Sequence, residues 1–428
     1  DTITIPTGAT ITNNGTQTGF GRTGTVDWQT GSIKTSTFTA TSGEGYFCNT
    51  NGGAFTVNLP AGSAGAIVSV SDYTRTFNTN NLTITPNGSE KIGGVAANVY
   101  LNVNGQAITL VYVDANEGWI NIQNAEDTEI GVVPAFVAAT GGTVTTVCTD
   151  YKVHTFTGPG TFCVSNAGNC EGSSTVEYIV VAGGASGATG YYGGGGGAGG
   201  FRFASPSLAP LTYPAKPLAG SNVPVSATGF PIVVGAGGGA KGPAMCLQGD
   251  AGSVSSFSTV TSAGGGGGGS WGNSSSPVTP GVAGGSGGGA GSINSSTGGP
   301  GGRVAGAGNT PPVSPAQGQP GGTGGFNVPS GPDGTASSAG GGGAIQAGQN
   351  HNPGPGEGGY GGEGAGLPAA FGSNGVPCGS FRYYAGGGAG AGDCGTGNIG
   401  GKGGGGHGGR YLNPLPASNY GEPGTVNT

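Results

Sequence analysis

Six consecutive glycines, Gly264 to Gly269, and five more, Gly193 to Gly197, restrict what this chain can become more than any other feature. Further tracts run through 283–290, 298–308, 340–343, 354–366, 386–397 and 400–409. An ordered glycine loses more conformational freedom than any other residue, so no ordinary helix or strand is built from such runs. One ordered structure that calls for them is the polyglycine II helix, extended and left-handed, with three residues per turn and no internal hydrogen bonds. Helices of this kind can lie side by side and exchange N–H···O=C bonds, supported by weak Cα–H···O contacts. A Cβ at the contact would hold the backbones apart. The sequence therefore predicts packed polyglycine II at Gly265, Gly266, Gly267, Gly268, at Gly287, Gly288, Gly289 and at Gly403, Gly404, Gly405, Gly406.

Disorder is the usual reading of a chain with 104 glycines and 28 prolines in 428 residues. Two features oppose it. Only 12 basic and 19 acidic residues are present, whereas disordered chains lean on charge. The glycine is also uneven, with 20 in residues 1–150 and 69 in residues 201–428. The first part alternates apolar and polar residues with period two, as in Phe55-Thr56-Val57-Asn58-Leu59, Leu82-Thr83-Ile84-Thr85 and Ile108 to Val113. Asn51-Gly52-Gly53, Asn87-Gly88, Asn104-Gly105 and Asn116-Glu117-Gly118 punctuate these runs as turns.

The fold class expected is all-β, with small N-terminal β domains followed by a glycine-rich region of packed polyglycine II helices. The expected divisions are connector strands over 1–44, a β-sandwich-like domain over 45–124, a connector and second β unit over 125–175, and the glycine-rich part over 176–428. The sandwich core is small for independent stability, which points to oligomerisation. Trp28, Phe47, Tyr112 and Trp119 are the aromatic residues expected at or near an intersubunit contact.

Twelve Lys and Arg cannot neutralise a phosphate backbone, so nucleic acid is excluded as a partner. The histidines, His154, His351 and His407, are scattered and fit no zinc spacing. Gly-x-Gly-x-x-Gly recurs by chance at this composition, and Lys402 is not followed by the Ser or Thr of a phosphate loop. Asp333, Glu357, Glu363 and Asp393 are isolated acids, better read as solvating than as a glycan-cleaving pair. No catalytic residue, metal or cofactor is expected. Seven cysteines without regular spacing suggest free thiols, Cys163 with Cys170 and Cys378 with Cys394 being the pairs to check.

Segments between the tracts carry Trp271, His351, Phe371, Tyr383 and Tyr384. Aromatic loops on a rigid support make a recognition surface, and these five residues are the candidate receptor contacts. The plainer alternative is that they pack onto the glycine region as lids.

A resemblance adds to this. Val26-Asp27-Trp28-Gln29-Thr30, Gly43-Glu44-Gly45-Tyr46-Phe47, Val57-Asn58-Leu59-Pro60-Ala61, Asn80 to Ile84, Asn104-Gly105-Gln106 and Leu110 to Val113 resemble the repeated β domain of tail-fibre proteins of T4-like phages of marine bacteria. Tyr178 to Gly184, Gly194 to Arg202, Val233 to Gly237 and Ser255 to Gly269 resemble the glycine-rich domain that follows in such fibres. The resemblance implies a non-enzymatic adhesin in the virion tail fibre, a homotrimer joined to other tail and fibre proteins. Its host partner would be a cell-surface glycan or an outer-membrane protein. The alternative is a structural glycine-rich extracellular or filament protein that binds no receptor.

Overall fold

The computed structural model describes residues 26–123, 133–147, 149–242, 246–272, 278–292, 304–325, 337–351, 356–392, 398–410 and 421–428. The chain divides into two units, residues 1–135 and 136–428. Both are all-β, and helical structure among the described residues is limited to short 3-10 turns.

The first unit holds β1 (Asp27–Trp28), β2 (Phe38–Thr39), β3 (Glu44–Cys48), β4 (Phe55–Asn58), β5 (Ile67–Asp72), β6 (Leu82–Thr85), β7 (Val99–Leu101), β8 (Ala107–Asp114) and β9 (Gly118–Asn121). They form two sheets, ordered β1-β3-β5-β8-β9 and β2-β4-β6-β7. Through β6 the chain alternates between the sheets, and successive strands within each sheet are parallel. Parallel neighbours need a crossover, and here the crossover is the strand of the opposite sheet. The chain thus coils before finishing in the antiparallel strands β7, β8 and β9. β1 and β2 pair with β3 and β4, so the sheets begin upstream of residue 45.

Alternation places one face of each strand in a shared core of Val57, Val70, Leu82, Ile84, Leu101, Ile108 and Trp119. Of the four turn signals, Asn116-Glu117-Gly118 closes a tight hairpin, between β8 and β9, with Gly118 at φ +73°. Asn51-Gly52-Gly53 and Asn104-Gly105 instead carry the chain from one sheet to the other. Of the aromatic residues expected near an intersubunit contact, Trp119 is enclosed within the unit and Tyr112 is half-buried. Trp119 is fully buried, its indole N–H donating to Glu90 Oε2 at 3.2 Å, and Tyr112 packs edge-on against it. Trp28 stays half-exposed, stacked on Phe47 at 4.9 Å and followed by Tyr73 at 6.4 Å from that ring. Burial pushes the Cys48 thiol up to about 12, which leaves it an inert core group.

The second unit begins with β10 (Val137–Thr140), β11 (Thr143–Val147), β12 (Tyr151–Thr155), β13 (Gly160–Ala167), β14 (Thr175–Val176) and β15 (Tyr178–Val181). β16 (Phe201–Ala204), β17 (Val223–Pro224), β18 (Gly229–Val233), β19 (Ser255–Phe257) and β20 (Val260–Ser262) follow, and β21 (Ala365–Pro368), β22 (Val376–Cys378) and β23 (Phe381–Tyr384) come late. One sheet runs β10-β13-β18-β19-β20, so strands before residue 175 share a sheet with strands after it. Three apolar clusters lie in this unit, one around Phe162, Tyr178 and Phe257, one around Phe201, Phe203, Leu367 and Tyr384, and a small one of Tyr192 and Trp271. Cys163, Cys170 and Cys378 are free thiols, while Cys148 and Cys394 lie outside the described residues.

The glycine tracts lie side by side without forming strands. Gly194, Gly197 and Gly200 donate to the carbonyls of Gly269, Gly266 and Ala263, at 2.9, 2.9 and 2.8 Å. The next residues along, Gly195 and Ala198, donate to Ala339 and Gly342 at 3.0 Å each. The carbonyls of Gly195 and Ala198 accept from Gly289 and Ser286, and that of Gly196 accepts from Gly388. Hydrogen bonds to any one neighbour recur every third residue, so each tract bonds several others at once. A buried backbone must pair, and this arrangement pairs it without a pleated sheet.

Gly265, Gly266, Gly268, Gly287, Gly288 and Gly289 all donate to neighbouring tracts, and Gly267 accepts from Val282. A Cβ on Gly266 would fall on the Val282 carbonyl, and one on Gly289 on the Ala339 carbonyl. Gly403 and Gly404 differ from the sequence reading. They sit in a turn at φ +99° and +91°, reversing the chain so that the Gly405 N–H reaches the Gly401 carbonyl at 3.1 Å. That left-handed backbone is open to glycine and strained for any other residue. Gly405 and Gly406 return to the packed tracts, the latter accepting from Ala389.

Candidate recognition surface

The five aromatic candidates from the sequence are mostly used inside the unit. Trp271 is buried and packs edge-on against Tyr191 at 5.3 Å, with Tyr192 beside it. Tyr384 is buried against Phe201 and donates its hydroxyl to the Asn374 carbonyl at 2.8 Å. Burial pushes that phenol up to about 12. Tyr383 is buried with its ring over Gly366, where a Cβ would meet ring atoms at 2.9 Å. Phe371 is half-buried against the Phe201 cluster. His351 is half-buried, its ring lies over Gly325, and burial holds its imidazole below the ordinary range. These rings are lids on the glycine tracts, and the structure does not bring them together as one exposed surface. Tyr411 and Tyr420 lie outside the described residues.

A different set of side chains is displayed by the outermost tracts. In residues 345–351, Gln346 and Gln349 are exposed. In the neighbouring tract Glu357, Tyr360 and Glu363 follow one another at every third position, and in the next tract Ile399 and Lys402 do the same. Backbone bonds hold the three tracts in register. Gln349 N–H donates to Tyr360 at 2.9 Å, Gly361 to Ile399 at 3.1 Å, and Gly364 to Lys402 at 2.8 Å.

Two lines of side chains therefore cross the tracts. In one, Gln346 Oε1 accepts from the Glu363 N–H at 3.3 Å, and Lys402 Nζ pairs with Glu363 Oε1 at 2.8 Å. Lys402 also lies 5.8 Å from the Tyr383 ring centroid. The other line, Gln349, Tyr360 and Ile399, is one period away on each tract. Tyr360 is 37% exposed and Ile399 53% exposed. The exposed Lys402–Glu363 pair adds little stability. Its effect is to hold both chains in one geometry.

This surface combines amide, phenol, carboxylate, ammonium and aliphatic groups, which suits recognition of a mixed polar and apolar ligand. The repeat Glu357-Gly-Gly-Tyr360-Gly-Gly-Glu363 was its signal in the sequence, since period three puts all three side chains on one face of a three-fold tract. Of the isolated acids, Glu357 and Glu363 belong to this row, while Asp333 and Asp393 lie outside the described residues. Among the described residues no three His, Cys, Asp or Glu side chains gather as metal ligands. No protein-family model matches the chain, and no curated protein matches it.

Proposed function

We propose that this chain is a structural protein and adhesin of a phage tail fibre, and that it recognises the bacterial surface from a glycine-rich scaffold. The scaffold is a lattice of polyglycine II helices, a reading supported by inter-tract hydrogen bonds that recur every third residue. The single observation that carries the recognition role is the pair of side-chain lines across three backbone-locked tracts. A scaffold whose contacts are backbone to backbone can change outward side chains without repacking. Gln349, Tyr360, Ile399 and Lys402 are the proposed contacts to a host glycan or outer-membrane protein, with no catalytic step. The fibre assembles as a homotrimer with other tail proteins, and the strip of exposed Trp28 and Tyr73 with half-buried Phe47 between them is the apolar face offered to that association.

The test is adsorption by particles carrying Gln349→Ala with Tyr360→Ala. The expected result is assembled particles whose adsorption rate constant falls roughly tenfold or more, as for loss of central contacts. Normal adsorption by these particles would remove the assigned surface. Normal adsorption after deletion of the whole glycine-rich part would remove the adhesin role as well.

A further inference from the structure

β15 and β16 pair antiparallel, with Tyr178 opposite Ala204 and Val180 opposite Arg202. Alternation turns Phe201 and Phe203 toward one apolar cluster. It leaves Arg202 on the other face, the one whose Tyr178, Val180 and Ala204 belong to the cluster around Phe162 and Phe257. A guanidinium there needs a reason, since it carries five donors, no acceptor and a permanent charge. Among the described residues it has no side-chain hydrogen bond and no ion pair. The Tyr178 hydroxyl has no hydrogen-bond partner among them either, although the residue is only 8% exposed. A buried tyrosine hydroxyl normally finds one. Burial pushes this phenol up and the charge of Arg202 opposes the shift, so the two groups feel one another.

Both residues line an open cleft of about 460 Å³, within the roughly 300–1,000 Å³ usual for a small-molecule site. Ser221, Thr259 and Ser314 line it as well. All three are exposed, and none of their hydroxyls has a hydrogen-bond partner among the described residues. No Asp or Glu belongs to the lining, so nothing in the cleft neutralises Arg202. Gly220 leaves room beside the tyrosine hydroxyl. Its N–H is held by the Phe203 carbonyl at 2.9 Å, and a Cβ there would lie 3.2 Å from Tyr178 Oη.

We propose that this cleft binds one acidic sugar unit, a ring bearing a carboxylate. The guanidinium fork of Arg202 takes both carboxylate oxygens, the bidentate geometry in which such pairs are strongest. Tyr178 Oη donates to the same carboxylate, which gives the buried hydroxyl the partner it lacks. The Ser221, Thr259 and Ser314 hydroxyls each donate and accept, as the hydroxyls of a sugar ring do. A bare inorganic anion would engage Arg202 and leave most of the cleft and these hydroxyls unused. A neutral sugar would leave the guanidinium unpaired. The cleft shares no residue with the surface of Gln349, Tyr360 and Ile399, and the inference does not depend on the adhesin reading.

The experiment titrates the full chain with glucuronate, glucose, acetate and N-acetylglycine, read by ligand-observed NMR. Glucuronate is expected to bind saturably, and each of the other three about tenfold more weakly or worse. Arg202→Gln should weaken glucuronate binding by about tenfold or more, and Tyr178→Phe by about threefold or more, with the circular dichroism spectrum of the parent kept. If Arg202→Gln disturbs folding, Arg202→Lys keeps the charge, loses the fork and should weaken binding by about threefold or more. The inference is overturned if glucuronate does not bind saturably, or if it binds folded Arg202 and Tyr178 variants as well as the parent. Acetate or N-acetylglycine binding as tightly as glucuronate would overturn it in favour of a plain carboxylate site. Glucose binding as tightly would overturn it by removing the role of the guanidinium.

Discussion

Valine at Gly266 is expected to destabilise the glycine-rich unit severely. The Gly266 N–H donates to Ser286 at 2.9 Å, and its carbonyl accepts from Gly197 at 2.9 Å. A Cβ there would fall on the Val282 carbonyl, which is backbone and has no rotamer to adopt. The tract carrying Val282 is itself held, through Ser286 and Gly289, to Ala198 and Gly195. Relief at one contact therefore breaks bonds at the next. Overpacking costs about 1–3 kcal/mol, and each buried bond lost adds about 1–3 kcal/mol. A loss on the order of 4 kcal/mol or more would consume much of the roughly 5–15 kcal/mol that a folded domain has. Gly184→Ala, with open space at its Cβ, should stay within about 1 kcal/mol of the parent. Equal melting temperatures for the two variants would show that close backbone packing is not what holds this unit together.

Trp119→Ala is expected to cost about 3–5 kcal/mol, the usual loss for a large buried aromatic residue. The ring is fully buried among both sheets of the first unit, and its N–H bond to Glu90 goes with it. Trp28→Ala, at a half-exposed ring, should cost about 1 kcal/mol or less in the same unfolding experiment. Comparable losses from the two would mean that Trp119 is not the centre of this core.

The β character of the first unit was legible because alternation reports which face is buried. Phe55 to Leu59 and Leu82 to Thr85 are strands, as their pattern indicates. Their pairing was not legible. Alternation is the same for parallel and antiparallel neighbours, and Asn-Gly pairs mark a turn without saying which sheet receives the next strand. In the second unit the positions of the glycine tracts were plain, but their neighbours were not. Gly195 bonds Ala339 across 144 positions of sequence, and no local signal encodes that partner.

Three of the five aromatic candidates are buried, for a physical reason. A region dominated by glycine has few large apolar side chains, so those it has are drawn into its small cores. Trp271, Tyr383 and Tyr384 serve there as lids. The exposed row was legible as spacing, in Glu357, Tyr360 and Glu363, once period three rather than aromatic content is taken as the guide.

The central claim is that cohesion comes from hydrogen bonds repeating every third residue between extended glycine tracts. Residue-resolved amide hydrogen exchange of the chain tests it most directly. The account predicts slow exchange at Gly183, Ala185, Ser186 and Ala188 and fast exchange at Gly184 and Gly187, two protected residues for every open one. Exchange at the rate of an unstructured chain throughout 182–189, or protection alternating with the two-residue period of a pleated strand, would contradict it.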